Sequence, residues 1–338
     1  MDKIAYIIGE QFLYWNPIIL ALAAVVAACT FVAIYLGSSG NPFATAFAVP
    51  MSVAASIFLA RVMHWYCLEV SYESFNAAVS DYSTGGYALM GVFFGCILTA
   101  LVLRLLRISR NLPQMLDAMA LAGAAGIALG RLSGFYNTSD RGMLLENITE
   151  LPLAYGTAHA VTGEVEYRLA TFFLQSISTA AIFAFLLMFY LVGKARKKTP
   201  DGDVCLLFFL IYGCVQVVMD STRYDSLYLR SNGFVSAVQI VSAVGIVLAI
   251  VLFSVRLVRK GGWHYWYIVL WLLIGGGLGG AGYMEYYVQR HGDQAAFAYR
   301  IMTLCLAGVI LVTMLIRLLS LVLKKRKRGG KYLAVAKA

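Results

Sequence analysis

The stretch DAMALAGAAGIALGRLSGFYNTSDRG, residues 117–142, decides the fold class of this chain. It begins as an apolar helix with a small side chain at every fourth position: Ala118, Ala122, Gly126 and Gly130. In a membrane, such a row lets a neighbouring helix approach closely. Arg131 follows directly. A charged residue at the end of a close-packed membrane helix is a candidate site residue, unless it only extends its charge to the interface.

The composition indicates a membrane protein with several spans. Of the 338 residues, 61% are hydrophobic and 13% are charged, which is about half the charged fraction of soluble domains. The net charge of +10 comes largely from Lys and Arg clusters beside apolar runs, so we predict no nucleic-acid partner. The six cysteines form neither a CxxC motif nor a metal-ligand spacing, and we therefore predict no metal and no cofactor.

Nine apolar runs reach the length of about 20 residues that a helix needs to cross a bilayer. They lie at about 17–37, 44–66, 85–107, 112–132, 169–193, 203–222, 234–257, 263–284 and 301–323. We therefore expect an all-α polytopic membrane protein with about nine transmembrane helices.

Positive charge predicts the orientation of these helices. Lys and Arg cluster after the third, fifth, seventh and ninth runs, most densely in the KKRKR run at 324–328. Basic segments of this kind remain in the cytoplasm. The N-terminus is then expected outside and the C-terminus in the cytoplasm. Segments 67–84 and 133–168, which are rich in polar residues and tyrosine, are expected to form a small extracytoplasmic head.

The sixth run carries a polar face. Tyr212, Gln216, Asp220 and Arg223 are spaced so that they lie on one side of a helix, and Asp220 can pair with Arg223 three residues later. Lipid cannot satisfy such groups, so this face should line a cavity or meet another polar segment. The alternative interpretation is a seam of hydrogen bonds between packed helices.

A third arginine, Arg61, ends the second run on the same predicted side as Arg131 and Arg223. Arginine is suited to bidentate binding of phosphate. The residues alone therefore predict a site for a phosphate-bearing lipid head group near the outer face, but they do not name a reaction.

These stretches, taken in order, resemble the prolipoprotein diacylglyceryl transferase family. The family signature G-R-x-G-N-F-x-N-x-E-x-x-G is similar to residues 130–142, and its Y-G-x-x-R-F-x-x-E-x-x-R-x-D-S pattern is similar to residues 212–226. Ala60-Arg61 resembles the arginine that ends the family's second span. The resemblance covers about residues 45–257. We therefore expect a seven-span transferase-like domain at 1–257, followed at 258–338 by two additional spans and a basic tail.

The resemblance implies the transfer of a diacylglyceryl group from phosphatidylglycerol to the lipobox cysteine thiol of prolipoproteins, at the bacterial cytoplasmic membrane. Its partners would be phosphatidylglycerol and the prolipoprotein signal peptide. The implied catalytic residues are Arg131, Arg223, Asp220 and Tyr212. The implied phosphatidylglycerol-binding residues are Arg131, Asn137, Arg61, Gly142 and Gln216.

Several positions depart from the family pattern. Met90 occupies the histidine position of G-G-x-x-x-H-G-G and cannot accept a proton. Gln216 replaces an arginine, Gly134 an asparagine and Ser139 a glutamate, and residues 169–175 lack the titratable groups of H-P-T-x-L-Y-E. Three hypotheses follow: an active transferase, a degenerate homologue that binds anionic phospholipid without turnover, or a transporter or channel. The third predicts an internal repeat, and no repeat is evident.

Overall fold

The computed structural model describes residues 4–8, 11–68, 72–81, 86–137, 141–145, 154–158, 163–195, 200–223, 225–229 and 232–335. The helices are α1 (Trp15–Gly37), α2 (Pro42–Cys67), α3 (Phe75–Ser80), α4 (Leu89–Leu105), α5 (Leu112–Gly130), α6 (Thr171–Ala195), α7 (Asp203–Ser221), α8 (Ala237–Gly261), α9 (Trp266–Arg290) and α10 (Ala295–Val335). The strands are β1 (Ile4–Ile8), β2 (Gln11–Tyr14), β3 (Ala154–Ala158), β4 (Val165–Leu169), β5 (Tyr228–Leu229) and β6 (Asn232–Ser236).

The all-α polytopic prediction is confirmed. Within the described part of the chain, eight helices are long and apolar enough to cross a membrane, and α4 is a shorter apolar helix of 17 residues. These nine helices begin and end within about six residues of the nine predicted runs, except that α10 continues to Val335. The extracytoplasmic head remains a prediction.

The chain divides into two compact units. One comprises residues 1–208 and 219–241, and the other comprises residues 209–218 and 242–338. Helices α7 and α8 each contribute to both. The predicted division at 257/258 separates spans that resemble the family from spans that do not. It concerns resemblance and not compactness, so it remains a prediction.

Small residues set the close packing in the first unit. A side chain at Gly95 of α4 would lie 2.6 Å from the backbone nitrogen of Ser56 in α2, and one at Gly91 would overlap the backbone of Ala60. The predicted small-residue row of α5 packs against α1 in the same way, with a Cβ at Gly126 3.0 Å from that of Ala27. The row therefore holds a neighbouring helix, as the sequence predicts.

A buried carboxylate fixes the start of α7. The side chain of Asp117, on α5, accepts hydrogen bonds from the backbone nitrogens of Gly202 (2.7 Å) and Cys205 (2.8 Å). Helix N-termini leave such amides without helical partners, and a negative charge there also complements the helix dipole. Asp117 thus caps a helix that is 85 residues away in sequence.

Short strands connect the helix ends in the first unit. β3 and β4 form an antiparallel hairpin, as do β1 with β2 and β5 with β6. Residues 141–145 run beside β4: the Gly142 nitrogen donates to the Leu169 oxygen at 2.8 Å, and the Leu145 nitrogen donates to the Tyr167 oxygen at 2.8 Å. Segment 141–145 is therefore held against the start of α6.

The second unit is built mainly from α8, α9 and α10. The glycine-rich stretch of α9 has two faces. Side chains at Gly277 and Gly280 would meet Cys305 or Val309 of α10, whereas the Cβ positions of Gly275 and Gly279 are open. The first pair brings α9 and α10 close together.

The α2–α4 contact generates a stability prediction. Gly95→Ala should destabilise the protein by about 1–3 kcal/mol, because the new methyl group overlaps backbone that cannot move aside. Thermal unfolding of the purified protein in detergent measures the effect. The matched control is Gly123→Ala on α5, whose Cβ would meet nothing within 4 Å. The control should unfold at the wild-type temperature or above, and equal destabilisation by the two variants would contradict the packing explanation.

Candidate functional site

Arg131 begins a short 3-10 helix, Arg131–Phe135, that continues directly from α5. Its side chain is half-buried. Three residues on, a side chain at Gly134 would lie 2.5 Å from the ring of Phe172, in the first turn of α6. This contact gives a physical reason for the departure at position 134, because Phe172 occupies the space that an asparagine would need.

Aromatic contacts hold the segment that follows Arg131. Tyr136 stacks on Trp15, the first residue of α1, with ring centroids 5.7 Å apart. The hydroxyl of Tyr155 on β3 donates to the Phe135 carbonyl at 3.1 Å. Asn137 is half-buried, and its backbone carbonyl accepts a hydrogen bond from Arg141 at 3.1 Å. Contacts from α1, from β3 and from Arg141 therefore hold the end of the 131–137 segment in place.

Gly142 links this segment to the residues after α7. It is buried, and it pairs with Arg223 as an antiparallel β-bridge. A side chain here would overlap the hydroxyl of Thr171 and would lie 2.7 Å from the Cβ of Leu169. Only glycine fits between these side chains. The β-bridge places the end of the signature stretch beside Arg223.

Asp220 and Arg223 form the ion pair that their spacing predicts. The Arg223 Nη1 lies 3.3 Å from the Asp220 Oδ1, and the Arg223 Nη2 lies 3.1 Å from the Asp225 Oδ1. The Ser236 hydroxyl donates to the second oxygen of Asp220, and the Ser226 hydroxyl donates to the Asp220 carbonyl at 2.8 Å. Asp220 is 2% exposed, so these partners compensate a buried charge.

A second guanidinium lies against this arrangement. Arg141 packs on the ring of Tyr155 at 5.1 Å, and its buried Nε has no hydrogen-bond partner among the described residues. Burial lowers the pKa of Arg141 from its usual value, and nearby Arg168 lowers it further, whereas Tyr155 and Asp225 raise it. The guanidinium stays charged, since arginine does not lose its proton in proteins. It therefore retains a donor for an anion.

Tyr212 and Gln216 lie on α7, two turns and one turn before Asp220. Both are buried, at 4% and 2% exposure, and the Gln216 Nε2 lacks a hydrogen-bond partner in the described structure. The pattern that grouped them with Asp220 correctly predicted a helix for these three residues. It was wrong for Arg223, because α7 ends at Ser221 and Arg223 lies beyond it in the β-bridge with Gly142.

Arg61 has a different environment from the other two predicted arginines. It is 1% exposed, and its guanidinium donates to the carbonyls of Ala78 (2.8 Å), Asp81 (2.6 Å) and Gly86 (3.1 Å). It also donates to the Tyr72 hydroxyl at 3.3 Å. These bonds tie the end of α2 to α3 and to the approach of α4.

Position 90 lies in an apolar environment. Met90 is 2% exposed and packs in a cluster with Ala88 and Ala237. Nearby, the His64 Nδ1 lies 2.7 Å from the Tyr72 hydroxyl. A side chain at Gly86 would overlap the Tyr72 hydroxyl and the His64 ring, and Gly86 has a φ of +81°, which favours glycine. Among the described residues, no group of three or more His, Cys, Asp or Glu side chains is arranged to hold a metal ion.

The structure thus brings together Gly142, Asp220 and Arg223, and Asn137 is linked to them through its hydrogen bond with Arg141. Arg141 belongs to the polar end of the stretch 117–142, but the sequence assigned no role in the site to it or to Ser236. Arg141 directly precedes the last glycine of the signature, and this position is the feature of the sequence that indicates a place near the site. Ser236 has no such feature, because its contact depends on a turn between α7 and α8.

Comparison with known proteins identifies the family of this chain. The family model for prolipoprotein diacylglyceryl transferase matches residues 3–255. Relatives named phosphatidylglycerol–prolipoprotein diacylglyceryl transferase include one from Lactococcus lactis subsp. cremoris, 24% identical over 77% of this chain and 96% of the relative. One from Clostridium botulinum is 25% identical (77% and 98%), and one from Finegoldia magna is 27% identical (75% and 94%). Since the model match covers about three quarters of its length, the chain belongs to the prolipoprotein diacylglyceryl transferase family.

Proposed function

We propose that this protein transfers a diacylglyceryl group from phosphatidylglycerol to the cysteine thiol of a lipobox in prolipoprotein signal peptides. A carbon–sulfur bond forms, the bond between the diacylglyceryl carbon and the phosphate oxygen breaks, and glycerol phosphate leaves with the bonding electrons. Family membership and the names of the relatives support the reaction class. The observation that carries it here is the β-bridge between Gly142 and Arg223, whose guanidinium is held by Asp220 and Asp225.

The site would face the outside of a bacterial cytoplasmic membrane, with the N-terminus outside and the C-terminus in the cytoplasm. The basic clusters at alternate helix ends support this orientation. Segments 67–84 and 133–168 would then lie at the outer face, where lipoprotein precursors expose their lipobox.

Negative charge develops on the phosphate as the carbon–oxygen bond breaks, and fixed cations stabilise it. We assign this role to Arg131 and Arg223, with Asn137 and Gly142 shaping the same binding site. Asp220 orients Arg223 through their ion pair. Tyr212 and Gln216 are proposed to act from the adjoining face of α7, Tyr212 as a hydrogen-bond donor and Gln216 as a ligand of the head group.

Arg141 supplies a charge that the family signature does not specify. Gln216 stands where the pattern has an arginine, so one cation is absent there, and Arg141 offers a positive charge at a position that the pattern leaves open. The Nε of Arg141, which has no hydrogen-bond partner among the residues that the structure describes, supports a contact with a phosphate or carbonyl oxygen. The sequence predicts Arg61 as a head-group ligand. Its hydrogen bonds to three carbonyls support a different role, in which it positions the end of α2.

The thiol must lose its proton before it attacks, because the thiolate is the nucleophile. Met90 cannot serve as the acceptor. We propose His64, which lies against Gly86 at the start of the same 86–90 stretch and is oriented by Tyr72.

A degenerate homologue that binds phosphatidylglycerol without turnover is the second candidate. The apolar packing of Met90 favours it, because the surroundings of that position are adapted to a side chain without a proton-accepting group. Losing a general base typically costs about 10²–10⁴ in rate.

One assay separates the two candidates. The purified protein is mixed with phosphatidylglycerol and a lipobox peptide, and mass spectrometry detects the diacylglyceryl adduct on cysteine. An adduct establishes the transferase. No adduct, with an active family member run in parallel, would leave lipid binding as the function.

Head-group binding generates the next prediction. Arg131→Gln should weaken phosphatidylglycerol binding at least tenfold, since a cation at a desolvated phosphate contributes on the order of 1.5–3 kcal/mol. Titration of the detergent-solubilised protein with labelled phosphatidylglycerol measures the effect. Met90→Leu, which conserves volume in the apolar cluster, is the control and should bind like wild type. Equal binding by wild type and Arg131→Gln would remove Arg131 from the site.

A pH profile tests the proton acceptor. If His64 is the base, transfer slows as pH falls, because the imidazolium cannot accept a proton, and His64→Gln lowers the plateau rate about 10²-fold. His264→Gln is the matched control and should keep both the rate and the profile. An unchanged profile in His64→Gln would exclude His64 as the acceptor while leaving the transfer reaction itself intact.

A further inference from the structure

A groove lies between α8 and α9 in the second unit. It has a volume of about 600 Å³, within the range of roughly 300–1,000 Å³ that is common for small-molecule sites. Ile250 and Ser254 line it from α8, and Trp271, Ile274 and Gly275 line it from α9. The family model ends at residue 255, so the α9 wall lies beyond the matched region.

The walls of the groove present apolar surface. The indole nitrogen of Trp271 donates to the Ser254 hydroxyl at 3.0 Å, so these two polar groups satisfy each other. Gly275 widens the groove, since nothing lies within 4 Å of its Cβ position. The groove therefore has space for an apolar ligand, and that ligand does not need to supply a hydrogen bond to Trp271 or Ser254.

A cation lies at one end. Arg259 lines the groove and is exposed, in a turn that also carries Arg256 and Lys260. Trp263 and Trp266 follow immediately and are 57% and 43% exposed. Tryptophan and basic residues gather at the level of lipid head groups. The open end of the groove thus lies at an interface and its apolar length lies within the hydrocarbon.

The dimensions match one leaflet. From Ile250 to Arg259 a helix rises about 14 Å, at about 1.5 Å per residue. Half of a hydrocarbon core of about 30 Å is close to this length. An acyl chain that begins at Arg259 would therefore fill the groove to its depth.

We propose that this groove binds one anionic phospholipid, with an acyl chain along Gly275 and Ile274 and the phosphate at Arg259. The exposed guanidinium selects for net negative charge, and the paired polar groups select against a polar ligand. The site is independent of the proposed transfer reaction, because it uses none of its residues.

The test is native mass spectrometry of the full-length, delipidated protein titrated with phosphatidylglycerol or phosphatidylcholine. Gly275→Leu fills the groove and should remove one retained phosphatidylglycerol. Arg259→Gln should weaken its retention about fivefold, the effect of roughly one basic residue at an anionic head group. Gly279→Leu is the matched control: it is one turn away on the same helix, also open at its Cβ, and outside the groove. It should retain the lipid as wild type does.

Val251→Phe obstructs the groove from α8 and provides a second variant if Gly275→Leu fails to fold. Equal retention of phosphatidylglycerol by wild type and both groove-filling variants would overturn the proposal in favour of ordinary annular lipid. Equal retention of phosphatidylcholine would overturn the charge selection. A dimeric mass that Gly275→Leu abolishes would assign the groove to a second copy. Arg131→Gln, measured alongside, should leave this lipid bound, which separates the groove from the proposed outer site.

Discussion

The buried carboxylate of Asp220 is the interaction on which the candidate site depends. At 2% exposure an ionised carboxylate is costly unless it is paired and hydrogen-bonded. Arg223 and the Ser236 hydroxyl meet its two oxygens, and Ser226 binds its carbonyl. One side chain thereby ties the end of α7 to the following turn and to the start of α8. Arg223, once held, pairs through its backbone with Gly142, so the position of the signature segment follows from how this charge is neutralised.

The arginines differ in how many of their N–H donors are directed at groups within the protein. A guanidinium has five N–H donors. Arg61 directs its donors at three carbonyls and a phenol, and it lies over the rings of Tyr72 and Tyr87, so its charge is used within the fold. Arg141 gives one bond to a carbonyl and keeps a buried Nε without a partner in the described structure. Two arginines on the same predicted side of the membrane can therefore differ in the donors that they present to a phosphate.

Hydropathy predicted the helices because a membrane span must satisfy its backbone internally, which leaves a long apolar signal in the sequence. The spacing also predicted the Asp220–Arg223 pair, although Arg223 lies just beyond the end of α7 and reaches Asp220 from a β-bridge instead of a helical turn. The environment of Arg61 was not predictable in this way, since its partners lie in a polar segment up to 25 residues away without periodicity. Arg141 and Ser236 acquire their contacts from turns and short strands, whose geometry depends on packing with other elements. Ser139 and Asp140, the polar end of the signature, lie outside the described residues.

Phosphate binding and proton removal are separable requirements of the proposed reaction, and the residues that we propose for them lie on different elements. The proposed cations and their supporting bonds belong to the 3-10 helix after α5, residues 141–145 and the residues after α7. Position 90 and His64 belong to α4 and α2, which pack against each other through Gly91 and Gly95. Met90 sits among apolar neighbours, so an imidazole there would lose hydration without a polar partner in that cluster. The substitution at position 90 is therefore consistent with its packing and leaves the ion pair of Asp220 undisturbed. A change of proton acceptor, or its complete loss, does not require the anion site to be rebuilt.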